Sequence, residues 1–207
     1  MLRRDINDYE LYVFDLDGTL YNQPRLRFIM ATRLLKYYIC HPLRIKELIL
    51  LQDFRKTKDS WTQDSDEDNI CGAVAAKHNV EKAYVTEIVH RWIYENPLSA
   101  VAATKDEKIA KWIDELKENK KTVVILSDYP TQDKLDALKI TCHAQYCTAD
   151  ERIGALKPSP KGLMVIMSDF SKQAEETLMI GDRDEKDGEC ARLAGVDYLG
   201  TVLFPQG

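Results

Sequence analysis

The stretch Leu11-Tyr-Val-Phe-Asp15-Leu-Asp17-Gly18-Thr19-Leu20 carries a short apolar run into two carboxylates. Leu11 to Phe14 reads as a buried β-strand. Asp15 and Asp17 then stand at its C-terminal tip, where open α/β sheets place their chemistry. Side chains two apart on an extended segment point the same way. Two carboxylates at one tip are costly unless a cation pairs with them or a reaction uses them. Taken alone, the same residues also suit an acidic turn, with Asp17-Gly18 as ordinary turn chemistry.

Working outward, strand and helix signals alternate after residue 100. Asp106 to Asn119 predicts a helix with Ile109, Trp112, Ile113 and Leu116 on one face. Thr122 to Leu126 is β-branched except at its last residue, the mark of a strand covered on both faces, and it ends in Ser127. Thr131 to Leu138 predicts a helix capped by Thr131, and Ala144 to Thr148 a shorter strand. Ser159-Pro160 starts another helix. Thr177 to Ile180 is a buried strand closed by Gly181-Asp182, Lys186 to Ala194 a helix stopped by Gly195, and Val196 to Leu203 contains a last strand. These elements predict a three-layer, Rossmann-like α/β core with a parallel five-stranded sheet.

Residues 21 to 98 break the rhythm and hold no clear strand. Helices are expected over Leu26 to Ile39, Leu43 to Phe54 with Pro42 near its first turn, Asn69 to Lys77, and Lys82 to Tyr94. Asp59 to Asp68 reads as an acidic loop, and Pro97 marks the exit. The expected organisation is a discontinuous core, 1–20 with 99–207, interrupted by an all-helical domain, 21–98.

Composition narrows the function classes. The net charge of -5, with no long Lys/Arg run to offset it, argues against broad nucleic-acid binding. Arg25, Arg27, Arg33 and Lys36 read as the wet side of a helix. No apolar run approaches membrane-spanning length, so no membrane partner is expected. The five scattered cysteines lack a convincing zinc spacing; as free thiols they suit a reducing cytosol, and a cytoplasmic location is expected.

Strand tips on one edge of a parallel sheet share a crevice. Asp15, Asp17, Ser127, Asp182 and the acid run to Asp187 can therefore meet, with Lys157 just before a helix. Several carboxylates around a phosphate suggest Mg²⁺ or a similar hard cation, because carboxylates alone repel a phosphate. Each residue also has an ordinary role: Ser127 as a turn or cap residue, Lys157 as a surface lysine, Asp128 as a cap for the turn after it.

Taken in order, Asp15-Leu-Asp17-Gly18-Thr19, Ser127, Lys157 and Gly181-Asp182-Arg-Asp-Glu-Lys-Asp187 resemble the four motifs of the haloacid-dehalogenase-like superfamily. The resemblance implies that Asp15 is a nucleophile forming an aspartyl phosphate and that Asp17 is the general acid and base. It implies Mg²⁺ held by Asp15, the Asp17 carbonyl and Asp182, with Asp187 either a further ligand or an orienter of Lys157. Ser127 and Lys157 would grip and neutralise the phosphoryl group, Thr19 would support the loop, and Leu16, Asp17, Asn22 and Asp128 would complete the phosphate and substrate contacts. Family members that use the fold for dehalogenation lack an acid at the position of Asp17.

Ser127 lies 110 positions after Asp17, whereas Lys157 lies only 30 after Ser127. The insertion therefore follows the first motif, as in the helical-cap subgroup, which includes phosphoglycolate phosphatase and related small-molecule phosphatases. Its expected activity is a Mg²⁺-dependent phosphomonoesterase for a small phosphorylated metabolite. A phosphomutase using the same residues is the alternative, and a non-catalytic binding protein is a third reading. Arg25, Arg27, Arg55, Lys58 and Trp61 are candidates for substrate choice.

Overall fold

The computed structural model describes residues 2–60, 67–148 and 150–201. The chain separates into two compact units, Met1–Pro24 with Val101–Gly207, and Arg25–Ala100.

The first unit is built on five parallel strands: β1 (Leu11–Phe14), β2 (Thr122–Ser127), β3 (Ala144–Cys147), β4 (Thr177–Gly181) and β5 (Asp197–Gly200), in the order β3-β2-β1-β4-β5. The chain winds from β1 outward through β2 to β3, then returns to β1's other side for β4 and β5. The order thus reverses beside β1, the topological switch point at which open α/β sheets form a crevice. Phe14 is level with Ile125 on one neighbour and Ile180 on the other. Asp15 emerges one residue beyond, still tied to the sheet by its N–H to the Ile180 carbonyl at 2.8 Å.

Nine α-helices lie among the described residues: α1 (Gln23–Cys40), α2 (Glu47–Ser60), α3 (Glu67–His78), α4 (Lys82–Val89), α5 (Asn96–Ala102), α6 (Glu107–Glu118), α7 (Gln132–Leu138), α8 (Lys161–Asp169) and α9 (Glu189–Ala194). Alternation along β1 divides the core between two faces. Leu11 and Val13 join Val124, Leu126 and Met179 against Leu163 and Ile166 of α8 and Cys190 and Ala191 of α9. Tyr12 and Phe14 point the other way, edge-on to Trp112 of α6 at 6.0 and 5.3 Å between ring centroids. The Asp106 side chain caps α6, accepting from the Lys108 and Ile109 N–H groups.

The second unit is helical, with a core of Leu50, Leu51, Phe54, Val74, Ile88 and Trp92 among others. Its boundaries depart from expectation in three places. Pro42 opens a separate 3-10 turn, Pro42–Arg44, and α2 begins only at Glu47. The buried Glu47 carboxylate explains the delay, since it accepts from the Tyr38 and Tyr84 hydroxyls at 3.1 and 3.0 Å and anchors the helix start. The expected acidic loop is helical to Ser60 and again from Glu67, and its middle, with Trp61, falls outside the described residues. Pro97 does not end the helical run. A π-helical segment, His90–Glu95, continues into α5, and Pro97 occupies that helix's first turn, where a missing N–H is tolerated.

Candidate active site

Residues after β1 place the first two carboxylates. Leu16 is buried and its carbonyl accepts from Thr19 and Leu20, closing a turn. Gly18 sits at φ +102°, and a Cβ there would lie 2.2 Å from Asp182 Oδ2. Only glycine lets the Asp182 carboxylate pack against this turn. Gly181 plays the same part for Asp187, whose Oδ2 would be 2.4 Å from an added Cβ. The two Gly residues therefore make room for two acids from the loop after β4.

Asp15, Lys157 and Asp187 form the buried centre, with Asp15 1%, Lys157 3% and Asp187 0% exposed. Lys157 Nζ donates to Asp15 Oδ1 at 2.5 Å and to Asp187 Oδ1 at 2.6 Å. Thr19 Oγ1 donates to Asp15 Oδ2 at 3.0 Å. A buried ammonium is tolerated here because two carboxylates share it. Burial alone would lower the Lys157 pKa, but the Asp15 and Asp187 charges more than offset this and hold it above the ordinary lysine value. Burial pushes the Asp15 carboxyl above the usual carboxylate range; Lys157 opposes the rise and Asp187 adds to it.

Asp187 spends Oδ1 on Lys157 and Oδ2 on the Arg183 N–H at 3.2 Å. These bonds tie Asp187 to Lys157 and to the Arg183 main chain. Carboxylate oxygens of Asp15, Asp182 and Asp187 nevertheless lie within 4.8 Å of one another. Asp182 Oδ1 is buried and has no hydrogen-bond partner among the described residues. Burial also raises the Asp182 pKa, with Arg183 opposing and Asp187 adding to the shift. Converging hard oxygens, one of them unsatisfied, fit a small divalent cation such as Mg²⁺.

Ser127 closes β2 fully buried, and its Oγ accepts the Tyr129 N–H at 3.1 Å, leaving its hydroxyl proton to donate elsewhere. Asp128 is not the cap of the following turn. Its Oδ1 accepts from Thr148 Oγ1 and from the Lys157 N–H, both at 3.1 Å, so its side chain braces the Lys157 loop. Thr131 stands at the start of α7 but makes no side-chain cap: its backbone is already helical, at φ -106° and ψ -33°, and its hydroxyl is turned to donate to Gln145 Oε1 at 2.6 Å. Asn22 is exposed, with its N–H on the Thr104 carbonyl at 2.8 Å.

Two residues absent from the sequence-derived site hold Asp17. Lys134 Nζ donates to Asp17 Oδ1 at 2.6 Å, and the Tyr21 hydroxyl donates to the same oxygen. Tyr21 is fixed by an antiparallel bridge to Lys105, where the chain leaving β1 runs beside the chain entering α6. Burial, then Asp17, raises the Tyr21 pKa, so it stays a donor. A lysine in the first turn of the helix after the motif serine is the only local signal that pointed to Lys134.

The haloacid dehalogenase-like hydrolase pattern matches residues 12–201, and the chain belongs to this family. Among curated proteins no sequence matches it. The fold is similar to that of a 2-haloacid dehalogenase from Pseudomonas syringae, at 15% identity, TM-score 0.65, covering 93% of this chain and 86% of that one. It is similar to a HAD phosphatase from Thermococcus onnurineus at 15% identity, TM-score 0.57, covering 96% and 89%. A HAD family hydrolase from Deinococcus radiodurans with bound phosphate and sodium aligns at 16% identity, TM-score 0.55, covering 94% and 81%.

Proposed function

We propose that this hydrolase is a Mg²⁺-dependent phosphomonoesterase acting on a small phosphorylated metabolite. The observation that carries the reading is Asp17. A second carboxyl group two residues after Asp15, with Oδ1 held by Lys134 and Tyr21, supplies from its protonated form the proton that an alkoxide leaving group needs and a halide does not. In the proposed reaction Asp15 attacks phosphorus and the bond to the leaving oxygen breaks. Asp17 donates its proton to that oxygen. Asp17 then takes a proton from water as the water attacks the aspartyl phosphate, releasing inorganic phosphate and restoring Asp15.

Lys157 neutralises charge on Asp15 and on the phosphoryl oxygens as bonds change, and Ser127 donates to one of those oxygens. Asp15, Asp182 and Asp187 would hold Mg²⁺, with the Asp17 carbonyl as the further ligand expected from the motif. The cation supplies charge neutralisation at the phosphoryl group, without which the acidic site repels its substrate. The helical unit is proposed as the cap domain that selects the substrate.

The test is a phosphate-release screen over phosphorylated metabolites with and without Mg²⁺, alongside Asp15→Asn. Release that needs metal and disappears in Asp15→Asn supports the reading. Halide release from 2-haloacids in place of phosphate release overturns it. Interconversion of sugar phosphates with little free phosphate replaces it by the phosphomutase reading.

A further inference from the structure

Helix α1 and the turn after it carry two features that the candidate active site does not use. The first is apolar exposure. Phe28, Leu35 and Ile39 are 70%, 64% and 70% exposed. Steps of seven and four residues put them on one stripe of the helix. The apolar surface continues past the helix end to Leu43, 96% exposed at the Pro42–Arg44 corner, and to Ile45 and Ile49. Single exposed apolar residues are ordinary, whereas a contiguous set of this kind marks an interaction surface.

The second feature is charge. Between Asp17 and Glu47 the chain has six Lys and Arg and no Asp or Glu, in a protein of net charge -5. Arg25, Lys36, Arg44 and Lys46 are exposed around the apolar stripe. Arg33 turns away to the Asn96 carbonyl and Ser99 Oγ, both at 2.8 Å. Glu47, the acid that ends the basic stretch, is buried on the Tyr38 and Tyr84 hydroxyls; it lies 3.8 Å from the Arg44 guanidinium, so part of the Arg44 charge is offset, while Lys36 and Lys46 are exposed.

We propose that this face docks on an anionic lipid bilayer, with Phe28, Leu35, Ile39 and Leu43 in the interface and Arg25, Lys36, Arg44 and Lys46 over the head groups. Basic side chains rimming an apolar stripe match what a negatively charged lipid surface recognises. The contact is peripheral, since no helix among the described residues is long and apolar enough to cross a membrane. A second copy is a poorer occupant: a two-fold contact would press this basic cluster against its own duplicate. Leu43, 96% exposed in the Pro42–Arg44 turn, is open to solvent as an inserting side chain must be. Beside it, Leu34, Leu35, Tyr38, Ile39, Ile45 and Leu48 line an apolar depression of about 390 Å³, suited to the end of an acyl chain.

The experiment is co-sedimentation of the full chain with vesicles of phosphatidylcholine, alone or with roughly one third phosphatidylserine. Binding is expected only with the anionic vesicles, and raising NaCl from about 0.1 M to about 0.5 M is expected to cut it at least about tenfold. Ile39→Ser with Leu43→Ser, and separately Lys36→Glu with Lys46→Glu, should each lower the bound fraction by about tenfold, with the far-ultraviolet circular dichroism unchanged. These residues are exposed, so folding is not at stake. Absence of binding to anionic vesicles overturns the proposal, as does equal binding to phosphatidylcholine alone. A concentration-dependent dimer that Leu43→Ser disperses, seen by analytical ultracentrifugation, assigns the face to a second copy and also overturns it.

Discussion

Lys134 Nζ lies 2.6 Å from Asp17 Oδ1, joining the first turn of α7 to the loop after β1 across 117 residues of sequence. With the Tyr21 hydroxyl on the same oxygen, the pair leaves the Asp17 carboxylate little rotational freedom. A proton-transfer group must be placed within fractions of an ångström to act, so the pair belongs to the proposed chemistry as positioning residues for Asp17.

Lys134→Met is expected to lower kcat by about tenfold to a hundredfold with little change in KM, and Lys134→Arg to recover part of it. Asp17→Asn should cost more, about a thousandfold, because it removes the proton donor itself. Steady-state phosphate release on the best substrate checks both. Equal kcat for Lys134→Met and the parent protein would dismiss the positioning role.

Gly18→Ala should damage metal binding more than folding. The new Cβ would meet Asp182 Oδ2 at 2.2 Å, and the backbone at φ +102° disfavours any side chain. A cost of about 1–3 kcal/mol is expected from thermal unfolding, together with at least about a tenfold weaker Mg²⁺ affinity by calorimetric titration. A Gly18→Ala protein with unchanged affinity would show that Asp182 does not need this close approach.

Lys157→Met removes the cation that Asp15 and Asp187 share in a buried centre. Breaking such a pair from one side costs about 3–5 kcal/mol, which for a chain of this size is a fall in Tm of roughly 10 °C. Mg²⁺ should restore part of the loss, so the Tm gain on adding Mg²⁺ is expected to be larger in Lys157→Met than in the parent. A gain no larger than the parent's would argue against a cation among Asp15, Asp182 and Asp187.

Asp197 offers a pH test away from the site. Burial would raise its pKa, but Tyr9 and Arg3 outweigh this and hold it below the ordinary carboxylate value, with the Tyr9 hydroxyl at 2.5 Å and Arg3 Nε at 2.8 Å. A depressed folded-state pKa contributes stability above the unfolded value, about pH 4, and loses it as pH falls through the folded value. Asp197→Asn should therefore be about 1–3 kcal/mol less stable at pH 7, with the gap closing as pH falls below about 4. Urea unfolding at several pH values reads this directly; a gap constant with pH would sink the assignment.

The strands were legible because their signals are local. Leu11 to Phe14, Val123 to Leu126 and Leu178 to Ile180 are apolar without interruption, as fully covered strands must be, and each lies in a strand where one is expected. Gly195 stops α9 in the left-handed conformation as read, because only a residue without a Cβ takes φ +71° freely. Reading failed where a distant partner decided the outcome. Thr131 looked like a cap, yet Gln145 takes its hydroxyl. Leu43 after Pro42 looked like a helix start, yet the tyrosines around Glu47 move that start four residues on.

The order of Asp15, Asp17, Ser127, Lys157 and Asp182 along the chain, each at a strand tip or helix entry, is enough to place this protein in its family and to point to its site, because strand and turn propensities act over a few residues. Which oxygen of Asp187 meets Lys157, that Asp128 braces the Lys157 loop, that Lys134 holds Asp17, and that Phe28, Leu35 and Leu43 stay exposed were decided only by the tertiary structure. Those facts depend on side chains brought together by packing across tens to more than a hundred residues, and no local pattern encodes a distance of that kind. The opening pair thus keeps its two carboxylates and gains two different sets of partners: Lys157 and Thr19 for Asp15, Lys134 and Tyr21 for Asp17.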